Sequence, residues 1–95
     1  MLEFDIVQSS FPSYSVRHNN IAADFNTVLS MLILFRDADR DSFWYQPSPA
    51  VAFLQSLGIL NQVNENVYTV TRKDRVVEII NALSDYMDKQ VKEQQ

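Results

Sequence analysis

Three aspartates on alternate positions, Asp37, Asp39 and Asp41, form the part of this chain that most resembles metal chemistry. Hard carboxylate oxygens at positions 1, 3 and 5 open a calcium EF-hand loop, which also needs Gly at position 6 and a bidentate Glu at position 12. Counted from Asp37, those two positions hold Ser42 and Ser48, and Arg40 neutralises part of the cluster. The aspartates therefore read as the solvated end of a helix. His18 is the single histidine and there is no cysteine, so a zinc site would have to be completed by carboxylates alone. No nucleophile and base can be assembled around His18. With one glycine in the chain, no glycine-rich phosphate loop can form. The expectation is a non-enzymatic protein with no metal and no cofactor.

Three consecutive aromatics follow the aspartates: Phe43, Trp44 and Tyr45. In an extended segment neighbouring side chains point to opposite sides, so Phe43 and Tyr45 share one face and Trp44 takes the other. They cannot all enter one core. Trp, Tyr and Arg are the residues that most often anchor protein partners, which makes Trp44, Tyr45 and the nearby Arg40 the candidate partner-binding residues.

The elements that must position these residues can be traced along the chain. A length of 95 residues suits one domain with a small core, expected over residues 1–90 with 91–95 as a frayed or projecting tail. Twelve acids against eight bases give a net charge of −4, a balance that argues against broad nucleic-acid binding. The lack of cysteine and of a basic, apolar leader leads to the expectation of a cytoplasmic protein. The longest apolar run, residues 31–35, is too short to span a bilayer.

Residues 2–7 alternate apolar and acidic as a half-buried strand does, and residues 14–18 alternate again, with a turn expected between them. Asn19 and Asn20 are expected to cap a helix that starts at about residue 20 and holds Asp24 in its first turn. Residues 28–35 of that helix, VLSMLILF, are apolar all round. Such a helix is either central or turns one face to a second subunit. Ser48 as N-cap, Pro49 at the first helical position and Gly58 at the left-handed stop define a short helix between them. An Asn-rich turn at 64–66 joins two β-branched runs into a hairpin. Thr71 is expected to cap a last helix running to about residue 89, with Asp74 at its third position and Val76, Ile79, Ile80, Leu83, Tyr86 and Met87 on one broad stripe.

Residues 53–71, FLQSLGILNQVNENVYTVT, resemble the second half of a winged-helix domain, with Leu57-Gly58-Ile59-Leu60 at the end of the helix before the wing and Tyr68-Thr69-Val70-Thr71 in its second strand. The resemblance implies an α+β, winged-helix-like domain, here with a short N-terminal strand pair and a long C-terminal helix. It also implies a homodimer formed through that helix, with Ile80, Leu83, Met87 and Val91 at the interface. In DNA-binding members the helix before the wing enters the major groove. Only Ser48 and Gln55 of that helix could read a base here, with Arg72, Lys73 and Arg75 as the nearest cations. The helix itself carries no charge and the wing tip carries Glu65. The leading expectation is thus a homodimeric protein-interaction module without a membrane partner, and the alternative is a dimeric DNA-binding regulator.

Overall fold

The computed structural model describes residues 3–10 and 13–93, and among these the chain forms six strands and three helices. The class is α+β, with two small antiparallel sheets and a long C-terminal helix.

The first sheet is a meander of β1 (Asp5–Ser10), β2 (Ser13–His18) and β3 (Ile21–Asp24). Ile6 pairs with Val16 and Val16 with Ala23 across it, and Val16 and Ala23 are buried. The strand expected at residues 2–7 is thus displaced: pairing starts at Asp5 and continues through Gln8 to Ser10, with a register shift between them. Of the expected turn, Phe11 and Pro12 lie outside the described residues. Asn19 and Asn20 are not a helix cap. Both take positive φ, 52° and 66°, and form the two-residue turn between β2 and β3, where a turn with two left-handed positions matches the twist of a hairpin. The helix α1 (Phe25–Asp37) starts later, and Asp24 is its N-cap, accepting hydrogen bonds at 2.9 Å from both the backbone N–H and the hydroxyl of Thr27. Only one side of α1 is covered. Phe25, Val28, Leu32 and Phe35, spaced by three and four, are buried, while Ile33 and Leu34 remain exposed.

After α1 come β4 (Ser42–Trp44), α2 (Pro49–Ser56), β5 (Leu60–Asn64), β6 (Val67–Val70) and α3 (Lys73–Glu93). The second sheet has the order β4-β6-β5. The short helix forms as its signals dictate: the Ser48 Oγ accepts from the Val51 N–H at 3.2 Å, Gly58 has φ +78°, and the Ile59 N–H closes the end on the Leu54 carbonyl at 3.0 Å. Thr71 does not cap α3. Its hydroxyl donates to the Gly58 carbonyl at 2.6 Å, so it ties the start of α3 to the end of α2. Arg72 occupies the turn into α3 with φ 57°, and its carbonyl accepts from the Arg75 and Val76 N–H groups. The helix then continues through Glu93.

The core lies between α2, the two sheets and the α1–α3 pair. Its aromatic part includes Phe4 edge-on to Phe53 at 5.5 Å, Tyr14 with Phe25 and Tyr86, and Phe35 with Phe43. A Cβ added at Gly58 would meet Arg72 at 3.7 Å, an ordinary contact, so the cost of Gly58→Ala is that of the left-handed backbone. Chemical denaturation is expected to show a loss of about 1–2 kcal/mol for Gly58→Ala, and of about 1 kcal/mol for Ser48→Ala.

Candidate functional site

The aromatic row begins on β4, the edge strand that pairs with β6, and Tyr45 directly follows it. Phe43 faces Tyr68 and Trp44 faces Val67 across the ladder. Alternation then sorts the three rings as the sequence requires. Phe43 is 5% exposed and Trp44 62% exposed. Tyr45 is half-buried, with its ring 6.4 Å from Phe43 and 6.3 Å from Phe35, and its N–H on the Asn66 carbonyl at 2.9 Å. Burial raises the Tyr45 phenol above its ordinary range, and Arg40 offsets this in part. Of the candidate contact residues, Tyr45 is therefore mainly a packing group. Arg40 lies 4.8 Å over the Phe43 ring and donates from Nε to the Ser42 carbonyl at 3.3 Å, which holds it against the strand. Among the described residues, Trp44 is left as the one large aromatic in solvent. Its strand also presents Ser42, and the neighbouring strands present Thr69, Asn61 and the exposed Val63, which stands at the register shift of β5. This side of the sheet is neutral.

The aspartates before it have separate roles. The Asp37 carboxylate takes two hydrogen bonds from Arg36, at 2.8 and 3.1 Å. These lower its pKa and raise that of Arg36. Asp41 meets Lys73 at 2.6 Å, and its carbonyl accepts from the Val70 N–H at 2.7 Å. Among the described residues, no group of three or more His, Cys, Asp or Glu is placed to hold a metal ion.

Of the residues considered for DNA, Ser48, Lys73 and Arg75 are engaged within the chain. The Ser48 hydroxyl oxygen is engaged as a helix cap and Gln55 is exposed. Lys73 is paired with Asp41. Arg75 is buried at 9% exposure, and its Nη1 meets the Glu3 Oε1 at 2.6 Å. The Arg72 side chain lies over Gly58, beside the negative end of the α2 dipole. Sequence reasoning missed the Glu3–Arg75 pair because its members are 72 positions apart. It also missed the bond from His18 Nδ1 to Ser56 Oγ, 3.0 Å, which joins the first sheet to the end of α2. The Ser56 hydroxyl donates to the Phe53 carbonyl at 2.6 Å, so its oxygen accepts and His18 Nδ1 is the donor. Beside these groups, Glu3, Phe4, Asp5, Arg17, His18, Asn19 and Asn20 line an open cleft of about 500 Å³.

Ile80 and Leu83, expected at a dimer interface, are 4% and 0% exposed and belong to the chain's own core. The reason is packing against α1 and the first sheet, seen in the contact of Tyr86 with Tyr14 and Phe25. Of the expected interface, Met87 is half-buried and Val91 exposed.

Comparison with family models, with curated proteins and with solved structures finds no match to this chain. Among the described residues, no helix is long and apolar enough to cross a membrane.

The Glu3 carboxyl is held below the usual carboxylate range, first by the hydrogen bond from Arg75 and further by the charges of Arg75, Arg72 and His18, against an opposing desolvation effect. A depressed folded-state pKa contributes stability above the unfolded pKa, and that contribution is lost as pH falls through the folded value. Thermal unfolding of the wild type and Glu3→Gln is therefore expected to differ at pH 7 and to converge toward pH 2. A constant difference across that range would sink the assignment.

Proposed function

We propose that this protein is a non-enzymatic protein-interaction module on a winged-helix-like scaffold, acting as a homodimer. The observation that carries the reading is the exposure of Trp44. Its two chain neighbours pack against Phe35 and Tyr68, so the strand is held rigidly while the indole stands in water. An exposed tryptophan on a rigid, neutral surface loses little side-chain entropy when a partner covers it. The scaffold reading is supported by the order of α2, the Gly58 stop, the β5–β6 hairpin and α3. Self-association is assigned to the C-terminal end of α3, where Met87 and Val91 continue the stripe beyond Leu83.

A duplex-binding role has weaker support. Stable binding rests on several phosphate contacts from free cations, whereas Lys73 and Arg75 are neutralised within the protomer. Anisotropy with random duplex at low salt is expected to show no salt-sensitive binding.

Trp44→Ala is expected to change stability by no more than about 0.5 kcal/mol, as an exposed substitution does, and to weaken capture of the native partner from the source cell. Unfolding of the variant, or undiminished capture by a folded variant, would remove Trp44 from the contact. Sedimentation of the wild type and Val91→Glu should show a concentration-dependent dimer only in the former.

A further inference from the structure

Among the described residues the two sheets have β1 and β3, and β4 and β5, as their outer strands. An open edge offers unpaired N–H and C=O groups to any extended chain, and proteins blunt such edges with bulges or cover them. β1 shifts register between Gln8 and Ser10, and β5 between Gln62 and Asn64. β3 lies against α2. β4 instead pairs with β6 in continuous register, Ser42 with Thr69, Phe43 with Tyr68 and Trp44 with Val67. The direction of its free groups follows from the ladder. The Asp41 carbonyl accepts from the Val70 N–H at 2.7 Å, and the Tyr45 N–H donates to the Asn66 carbonyl at 2.9 Å. Hydrogen-bonded and non-hydrogen-bonded positions alternate along an antiparallel pair. Asp41, Phe43 and Tyr45 therefore turn their main-chain groups to β6, while Ser42 and Trp44 turn theirs to the open edge. Arg40 Nε reaches the Ser42 carbonyl at 3.3 Å, a long bond that an incoming amide can replace. The same strand carries the exposed indole of Trp44.

We propose that the edge of β4 is a strand-addition site, and that its occupant is an extended, uncharged segment of another protein, paired antiparallel with Ser42–Trp44. The proposal rests on the contact role of Trp44 and gives the form of the partner. In such additions the main-chain bonds supply attachment and the alternate side chains supply specificity. The incoming residue opposite Trp44 exchanges both main-chain bonds with it and stands on the indole's side of the sheet. A β-branched or aromatic side chain there packs on the indole. A charged one would be covered beside the neutral Ser42, Thr69 and Asn61 without a counter-ion, so the neutrality of this side selects an uncharged segment. A second copy of this chain does not fit the edge: self-association is assigned to α3, and a second two-fold contact through β4 would link dimers into open chains. The shortness of β4 and the Arg40 cation at its start keep the edge from pairing with every exposed strand.

The test is an NMR titration of the full chain with an end-blocked Thr-Val-Thr-Val-Thr peptide, alongside the same peptide N-methylated at both valines. The unmethylated peptide is expected to shift the signals of residues 41–45 and to slow amide exchange at Ser42 and Trp44. The methylated one, which lacks the donors for the edge, is expected to do neither. Ser42→Pro removes an N–H that faces away from β6, a position where a strand tolerates proline. It is expected to bind the unmethylated peptide about tenfold more weakly while the indole stays exposed. If Ser42→Pro does not fold, the pair of peptides on the wild type decides the question alone. Equal shifts with both peptides, or none with either, overturn the proposal. So do shifts at residues 41–45 that grow with protein concentration alone, which would assign the edge to a second copy. Native-partner capture that Trp44→Ala weakens and folded Ser42→Pro does not overturns strand addition and leaves the Trp44 contact standing; capture unchanged in both overturns the two together.

Discussion

The architecture depends on the burial of one uncharged helix from two sides. α2 presents Ala50, Val51, Phe53 and Leu54 to the interior, with Leu57 buried at its C-cap, and packs on β3 and β2 of the first sheet as well as on β5 and α1. An eight-residue helix gains little from its own hydrogen bonds, because nucleation is costly and few turns share the cost. Its persistence rests on tertiary packing and on its two ends. Those ends are well defined: Ser48 and Pro49 at the start, Gly58 and the Ile59 N–H at the finish. The absence of charge, which makes α2 a poor reader of DNA, is what allows both sheets to close on it.

Polar tethers fix how the remaining elements meet that helix. Thr71 bonds the Gly58 carbonyl, Ser56 accepts from His18, and Glu3 reaches Arg75. Each joins segments distant in the chain at a helix end, and the Thr71 bond also satisfies a backbone carbonyl there. The positive φ of Arg72 belongs to the same junction, for it turns the chain from β6 into α3 while its side chain lies across Gly58. Two carboxylates from distant segments, Glu3 and Asp41, meet cations of the first turn of α3. Lys73 and Arg75 are thereby each paired with a carboxylate of the same chain, Lys73 at the surface and Arg75 buried.

The aromatic row shows how a strand separates structure from contact. One face of β4 joins a ring cluster with Phe35, Tyr45 and Tyr68, and the other holds Trp44 in water. Rigidity and exposure come from the same three-residue element. The neutral residues around Trp44 suit a partner recognised by apolar contact rather than by charge, in accord with the interaction role proposed for the protein.

Local chemistry made much of this legible before any fold was known. The Ser-Pro start and Gly stop of α2, the Asn-rich hairpin turn, and the alternation of Phe43, Trp44 and Tyr45 follow from backbone preferences that act within a few residues. The Asn19-Asn20 pair was ambiguous because asparagine serves both as a helix cap and in left-handed turns; the pairing of Ile21 with His18 and of Ala23 with Val16 decided for the turn. Thr71 was ambiguous in the same way, and its hydroxyl went to Gly58 because the end of α2 lies beside it. The apolar run of α1 did not say which side faces inward. The α3 stripe did not say that Ile80 and Leu83 are core, since periodicity marks a face but not its cover. The sequence by itself therefore determined both ends of α2, the Asn-rich hairpin turn and the separation of Trp44 from Phe43 and Tyr45. Tertiary structure alone decided which apolar faces are covered and which charges meet, because those depend on contacts between segments as far apart as residues 3 and 75.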